Sequence, residues 1–361
     1  MRIVLDTQTR LGSKTGFGFY VNNLVKQLEK IDQVNQYTFI QPANDKDFST
    51  PRRLLWDQLT FPWLANRARA DIIHQPCFST PIIHRGKVVV TIHDLISVFF
   101  SQNFPFWSGL FFGKFMPMTY RFADHLIAVS EHTKNDAIKV LGLDPSRITV
   151  IHEAADERFH PNYTEAEIKV AKANYHIPDE PYLVHVGTLE PRKNLNFLVE
   201  AFAQAIADPK VKGNLVIAGK KGWYYEGLFA LVERLKLTNR VIFTGYVADE
   251  DIPRLMVGAT ALVFPSHYEG FGLPPLEAMA SGTPVISSNT SSMPEVVDGA
   301  GLLLEPTDLA GWAIAIQRIL TDTKLQQELS QKGLARAKQF SWEKCARETV
   351  AIYEKVYRGE L

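Results

Sequence analysis

The 361-residue sequence predicts an α/β protein made of two Rossmann-like, doubly wound parallel-sheet domains. Three observations carry that reading. The chain exceeds the roughly 150 to 200 residues that one hydrophobic core usually organises, so two domains are the default. Short β-branched runs alternate with helical patterns, which is the signature of βαβ units around a parallel sheet. The alternation runs through once, breaks in a charged stretch containing prolines, and restarts.

In chain order, the first strands are expected at Arg2 to Leu5, Tyr37 to Ile40, Ile72 to His74, Val88 to Ile92, His125 to Val129 and Ile148 to Ile151. From Asp156 to Pro181 the sequence carries Pro161, Pro178 and Pro181 with one helical pattern, which puts the domain boundary in that stretch. The second set of strands is expected at Tyr182 to Val186, Asn214 to Ala218, Val241 to Thr244, Ala261 to Phe264, Pro284 to Ser287 and Gly301 to Leu304. The last stretch, Ser341 to Tyr357, opens on an N-cap serine and has apolar residues at helical spacing. A second domain already complete by Leu304 does not need that helix. The expected division is therefore 1–165 for an N-terminal domain, 166–340 for a C-terminal domain, and 341–361 for a helix crossing back to the N-terminal one.

Apolar residues make up 46% and charged residues 22% of the chain, which excludes a disordered protein. Lys plus Arg balance Asp plus Glu at 39 each, so no overall field draws the molecule to nucleic acid, and an anion site must be local. Cys77 and Cys345 lie far apart and form no CxxC pair, so neither a disulfide framework nor a zinc site is indicated. The start MRIVLDTQTR reads as a strand and not as a secretory signal. No apolar run approaches the roughly 20 residues a membrane-crossing helix needs, so a cytoplasmic protein is expected.

Open parallel sheets bind ligands at the carboxyl ends of their strands. After the strand at Tyr182 comes GTLEPRKN, in which Gly187 permits close backbone approach and Arg192 and Lys193 set two cations beside a helix start, a combination suited to a diphosphate. Taken alone, the two cations read equally well as solvated loop charges. After Phe264 comes PSHYEGFGLPPLEAMASGTPVI, with Glu269 and Glu277 separated by seven residues. Gly270, Gly272, Pro274 and Pro275 prevent one helix from carrying both acids, so Glu269 is expected in a loop and Glu277 in a first helical turn. The bland alternative makes Glu277 a helix-start acid favoured by the macrodipole. In the first half, TGFGFYVNNL and TIHDL follow predicted strands. GFGF is a poor dinucleotide fingerprint because Val21 occupies the third glycine position, which argues against an oxidoreductase.

EGFGLPPLEAMASGTPVI resembles the Glu, seven residues, Glu motif of family 4 retaining glycosyltransferases, whose architecture is GT-B, two Rossmann-like domains facing across a cleft. GTLEPRKN resembles that family's donor-phosphate loop, FTGYV its nucleoside-facing turn, and VSEHTKNDAIKVLG and SSMPEVVDGAG its helices, so the likeness covers nearly the whole chain. It implies a donor-binding C-terminal domain and an acceptor-side N-terminal one. By this resemblance Glu277 binds the ribose hydroxyls, and Glu269, Gly270 and the amides of Phe271, Gly272 and Leu273 hold sugar and phosphates. Gly187, Thr188, Arg192 and Lys193 surround the leaving diphosphate, and the base lies against Gly245, Tyr246 and Val247. Gly16, Phe17 and Gly18 form a loop near the diphosphate, and His93 contacts the donor sugar near its reacting carbon. Asp94 orients the loop or the acceptor. Many members carry an arginine where this chain has Thr188, so Arg192 is expected to take part of that role. His93, Glu269, Arg192 and Lys193 are the catalytic candidates.

The resemblance further implies a hexosyltransferase that retains configuration by front-face attack, with a UDP-glucose-type donor placed ahead of GDP-mannose. The acceptor is expected to be a saccharide or lipid-linked saccharide in polysaccharide or glycoconjugate synthesis. No Asp-x-Asp triplet occurs, so no metal is expected, and no cofactor. Phe99 to Phe122 carries Phe100, Phe104, Phe106, Trp107, Phe111, Phe112, Phe115 and Tyr120 with Lys114 and Arg121, which fits either a lipid-facing surface at the inner membrane or helices packed into the first domain. The competing classes are a GT-B nucleotide-sugar epimerase or phosphorylase, and a non-catalytic nucleotide-sugar binding protein.

Overall fold

The computed structural model describes residues 1–11, 16–43, 48–100, 106–222 and 225–361. Among these, twelve strands form two parallel sheets of six. The chain divides into two compact units, residues 1–154 with 341–361, and residues 155–340. The expected boundary after residue 165 therefore falls inside the second unit. Side chains just before it already find partners there: Phe159 is buried, Arg254 lies over the Tyr163 ring at 5.4 Å, and helix Glu165–Asn174 packs on helix Asp251–Gly258.

The first unit contains β1 (Arg2–Asp6), β2 (Gln36–Ile40), β3 (Ile72–Gln75), β4 (Lys87–Ile92), β5 (His125–Ala128) and β6 (Ile148–Val150), in the order β2-β1-β3-β4-β5-β6. The central strands are continuous apolar runs because helices cover both faces of such a sheet. Val4, Ile73, Val90 and Leu126 meet Trp56 and Phe61 in one core. The winding reverses between β1 and β3, which makes the carboxyl ends of β1, β3 and β4 the place for a ligand.

GFGF does not form the expected loop. Gly16 starts a helix running to Ile31, and Tyr20, Val21, Leu24, Val25 and Leu28 recur at helical spacing and draw it onto the sheet. Residues 12–15, including Thr15 of that motif, lie outside the described residues. At the other end of the chain, Ser341 caps helix Trp342–Arg358 by accepting the Lys344 amide hydrogen. Trp342, Ala346, Thr349, Tyr353 and Val356 line one buried stripe of this helix, which packs on helix Gly16–Ile31. Burying Trp342, Ile352 and Tyr353 contributes roughly 1.5–3 kcal/mol each, and the Tyr353 hydroxyl bonds His74 Nδ1 at 2.6 Å.

The aromatic segment Phe99–Phe122 divides between interior and surface. Phe111, Met116 and Tyr120 are buried, while Trp107, Leu110, Met118 and Phe122 are exposed. Phe104 lies outside the described residues.

The second unit contains β7 (Tyr182–Val186), β8 (Asn214–Ala218), β9 (Val241–Gly245), β10 (Ala261–Phe264), β11 (Val285–Ser288) and β12 (Leu302–Leu304), in the order β12-β11-β10-β7-β8-β9. Helix Leu195–Ala205 buries Leu195, Leu198, Val199 and Phe202 against this sheet, and Trp312 closes the same core from helix Leu309–Thr321. Here the winding reverses between β7 and β10. GTLEPRKN and SHYEGFGL, which follow those two strands, therefore sit where an open α/β sheet places a ligand.

Candidate functional site

The two loops meet through charge. Behind β7, Pro191–Lys193 forms one tight turn, and Asn194 takes the left-handed conformation at φ 56° before helix Leu195–Ala205 begins. That turn sends Arg192 and Lys193 toward the loop behind β10. Lys193 Nζ lies 2.6 Å and Arg192 Nη1 2.8 Å from Glu269 Oε1. Arg192 also donates to the Tyr268 carbonyl and to Glu190, each at 2.5 Å. Lys193 is buried, its ammonium 4.8 Å from the centre of the Phe264 ring. The two cations are thus not solvated loop charges. They form a compact cluster with two carboxylates.

Electrostatics follow from that packing. Burial pushes the Glu269 carboxyl up, but Arg192 and Lys193 outweigh it and hold its pKa at about 2. Burial and Arg192 lower Lys193, and Glu269 opposes them. The loop itself is pinned from its carbonyl side: Ser292 Oγ donates to the carbonyls of Glu269 and Phe271, and the Glu269 amide donates to Ser291 Oγ. Gly272 has φ +111°, and a Cβ there would stand 2.2 Å from Met293 Cε, so only glycine fits this helix start.

Helix Leu273–Ala280 follows at once. Pro274 and Pro275 remove two amide donors from its first turn, leaving Phe271, Gly272 and Leu273 as the nearby amides. Glu277 is the fifth residue of this helix and is half-buried, so the expectation of a first-turn acid is corrected: the helix starts at Leu273, and its first turn holds no acid. Gly270 is buried in the same loop. Thr188 is exposed, whereas Arg192 is engaged in the cluster.

The remaining second-domain candidates lie at the ends of β7 and β9, on either side of β8. The Gly187 amide donates to the Ala218 carbonyl and the Gly219 amide to the Gly245 carbonyl, each at 2.9 Å. A Cβ at Gly219 would fall 1.8 Å from the Gly187 oxygen, so the strand ends approach closely only because residue 219 has no side chain. Tyr246 is exposed with Lys220 Nζ 4.9 Å from its ring centre, and Val247 is buried.

In the first unit His93 follows β4 directly. Its Nδ1 is 2.9 Å from Glu153 Oε1, its Nε2 is 2.9 Å from the Pro76 carbonyl, and Cys77 Sγ is 3.7 Å away. The rings of Phe17 and Tyr20 meet it edge-on at 4.9 and 4.6 Å. Phe17 therefore reaches His93, while Gly16 stands in open space and Gly18 is buried in the helix. Asp94 accepts the Ile96 amide hydrogen, which orients its own loop.

With this geometry in hand, comparison with known proteins decides the family. Residues 167–336 match the model described as glycosyl transferases group 1, and residues 21–159 the one described as Glycosyltransferase Family 4. Over 98% of its length the chain is 32% identical to O-antigen chain mannosyltransferase B of Escherichia coli, and the match spans all of that protein. This chain belongs to the group 1 glycosyltransferases. It is also 31% identical over 71% of its length to serotype-specific mannosyltransferase WbdA of Escherichia coli, covering 32% of that longer protein. In fold this glycosyltransferase is similar to sucrose-phosphate synthase from Thermosynechococcus elongatus, with a TM-score of 0.78 and 24% identity over 99% of this chain and all of the other. Its architecture is GT-B.

Several residues of the glycosyltransferase's charged sites were not singled out from the sequence. Glu190 stands inside GTLEPRKN and Glu153 three residues after β6, both at carboxyl ends of strands, so the strand-end rule could have found them. Ser291 and Ser292 carry no such signal, because their role is to hold backbone groups of a loop distant in sequence. Among the described residues no group of three His, Cys, Asp or Glu side chains could hold a metal ion, and no helix is long and apolar enough to cross a membrane.

Proposed function

We propose that this glycosyltransferase moves a mannosyl residue from GDP-mannose to a saccharide acceptor in the assembly of an O-antigen-type polysaccharide, with retention at the anomeric carbon. The buried Arg192–Lys193–Glu269 cluster at the winding reversal of the second sheet carries the reading. The names of the full-length relative and of WbdA put mannose ahead of glucose, reversing the donor order expected from sequence. UDP-glucose becomes the second choice.

The chemistry follows from the charges. The bond between the sugar's anomeric carbon and the diphosphate oxygen breaks, the acceptor oxygen bonds to that carbon on the same face, and the acceptor's proton passes to the departing diphosphate. Negative charge gathers on the diphosphate, where Arg192 and Lys193 stabilise it without reorganising. Glu269 holds both cations in place before the donor arrives and offers its second oxygen to the hexose hydroxyls. Glu277 binds the ribose, and Tyr246 with the Gly245 and Val247 backbone receives the base. The reading needs no metal and no cofactor.

A thermal-shift series checks donor and site together. GDP-mannose and GDP at a hundred times their Kd raise stability by about 2.7 kcal/mol, and UDP-glucose does not at equal concentration. Glu277→Ala weakens GDP binding about tenfold, the loss of hydrogen bonds to a charged group. A shift with UDP-glucose alone returns the donor to the first expectation, and unchanged GDP affinity in the variant removes Glu277 from the site.

The exposed Trp107, Leu110, Met118 and Phe122, on a segment that also carries Lys114 and Arg121, support peripheral contact with a membrane that presents a lipid-linked acceptor. Flotation with anionic vesicles is expected to carry the protein and Trp107→Ser, Leu110→Ser to release it. Equal recovery with neutral and anionic vesicles and with the variant sinks this part.

A further inference from the structure

Both ring nitrogens of His93 face oxygens, one of a carboxyl side chain and one of a backbone carbonyl. Glu153 Oε1 stands 2.9 Å from Nδ1, and the Pro76 carbonyl 2.9 Å from Nε2. A neutral imidazole has one N–H, so either tautomer would turn a bare lone pair toward one of these oxygens. With Glu153 as the carboxylate, only the doubly protonated ring satisfies both. The site is closed around it: the side chains of His93 and Glu153 are 9% and 5% exposed, which makes any mismatch there costly.

We propose that Glu153 is a positioning residue that locks His93 as an imidazolium, so that His93 serves the transfer reaction as a fixed cation and not as a base. This rests on the reading that His93 stands against the donor. The lock leaves neither nitrogen free to take the acceptor's proton, which is why that proton goes to the diphosphate. The cation instead adds positive potential where negative charge gathers.

The groups that face His93 support the same state. Burial alone drives the ring toward neutrality, while the Cys77 sulfur and the Glu153 carboxylate raise its pKa well above the ordinary histidine value. The sulfur stands 3.7 Å from Nε2 and the carboxylate 2.9 Å from Nδ1, so Glu153 is the nearer partner. Burial pushes the Tyr20 phenol on helix Gly16–Ile31 up, and it stays neutral. On β3, His74 is held down to about 3 by burial and then by the His93 charge, with its nitrogens bonded to Tyr353 and Thr91. On helix Trp342–Arg358, burial pushes the Cys345 thiol up. Among these groups the Glu153 carboxyl is the acidic side chain that His93 meets directly.

The test reads charge and rate separately. Imidazole nitrogen shifts from histidine-labelled protein, with the His93 signal assigned by its loss in His93→Gln, are expected to show both nitrogens still protonated at a pH where an ordinary imidazole, with a pKa of about 6.5, is neutral. In Glu153→Gln the ring becomes neutral at that pH and kcat falls about tenfold, with the loss shrinking toward acid pH and KM for the donor little changed. Glu153→Asp restores both protonation and rate in part, and Cys77→Ser changes neither. A neutral ring in the wild-type protein overturns the proposal without any variant having to fold, and so does a ring that stays charged in Glu153→Gln. If Glu153→Gln neutralises the ring and kcat keeps its value at every pH, the lock stands and the placing of His93 against the donor falls.

Discussion

Behind β7 and β10 the second domain buries charge in a cluster of Glu190, Arg192, Lys193 and Glu269, whereas behind β4 the first buries the pair of His93 and Glu153. Both stand behind central strands, and both hold a carboxylate within 3 Å of a cation. They differ in what can give way. A guanidinium does not lose its proton in the accessible range, so Arg192 has no neutral form to retreat to. An imidazole does. The cluster therefore suits a site that must present positive charge under all conditions, and the pair suits one whose charge depends on its partner.

The sharpest way to break this comparison is to remove the acid from each. Glu269→Ala leaves Arg192 and Lys193 buried without their shared partner, and the expected cost to the second domain is about 3–5 kcal/mol in denaturant unfolding. Glu153→Ala costs less, about 1–3 kcal/mol, because His93 sheds a proton and leaves only a hydrogen-bond mismatch. Equal losses would show that the histidine cannot escape its charge and that the two sites differ only in size. A loss of under about 1 kcal/mol for Glu269→Ala would mean that Arg192 finds enough in Glu190 and the Tyr268 carbonyl.

How much of this was legible depended on what each feature requires. All twelve strands lie within a residue or so of their expected positions, because β-branched runs between helical patterns are a local signal. Arg192, Lys193 and Glu269 were legible as a group because the winding reversal places two strand ends side by side. Their mutual pairing was not, since it depends on the turn at Pro191–Lys193 and the left-handed Asn194. GFGF read as a loop from its glycines, yet the apolar spacing that follows Gly18 carries the helix back to Gly16. Glu153 was passed over because its meaning lies in a ring sixty residues earlier in the chain. The Glu277 position was displaced by a few residues because two prolines sit comfortably inside a first turn.

The same difference predicts that acid and alkali attack opposite halves of the molecule. Glu269 has its folded-state pKa lowered to about 2 from an unfolded value near 4.5. Its contribution is fully present above the unfolded value and is lost as pH falls through the folded one, so the second domain weakens between about pH 4.5 and 2. His93 has its folded-state pKa raised above its ordinary 6.5. Its contribution is complete below the ordinary value and is lost as pH rises through the folded one, so the first domain weakens on the alkaline side. Hydrogen exchange read separately over residues 155–340 and over the remainder is expected to show second-domain opening first in acid and first-domain opening first in alkali, with Glu269→Gln flattening only the acid limb. Opening of both halves together at either extreme would mean that the pairs are outweighed by carboxylates and amines spread over the surface, and that the contrast between cluster and pair does not govern stability.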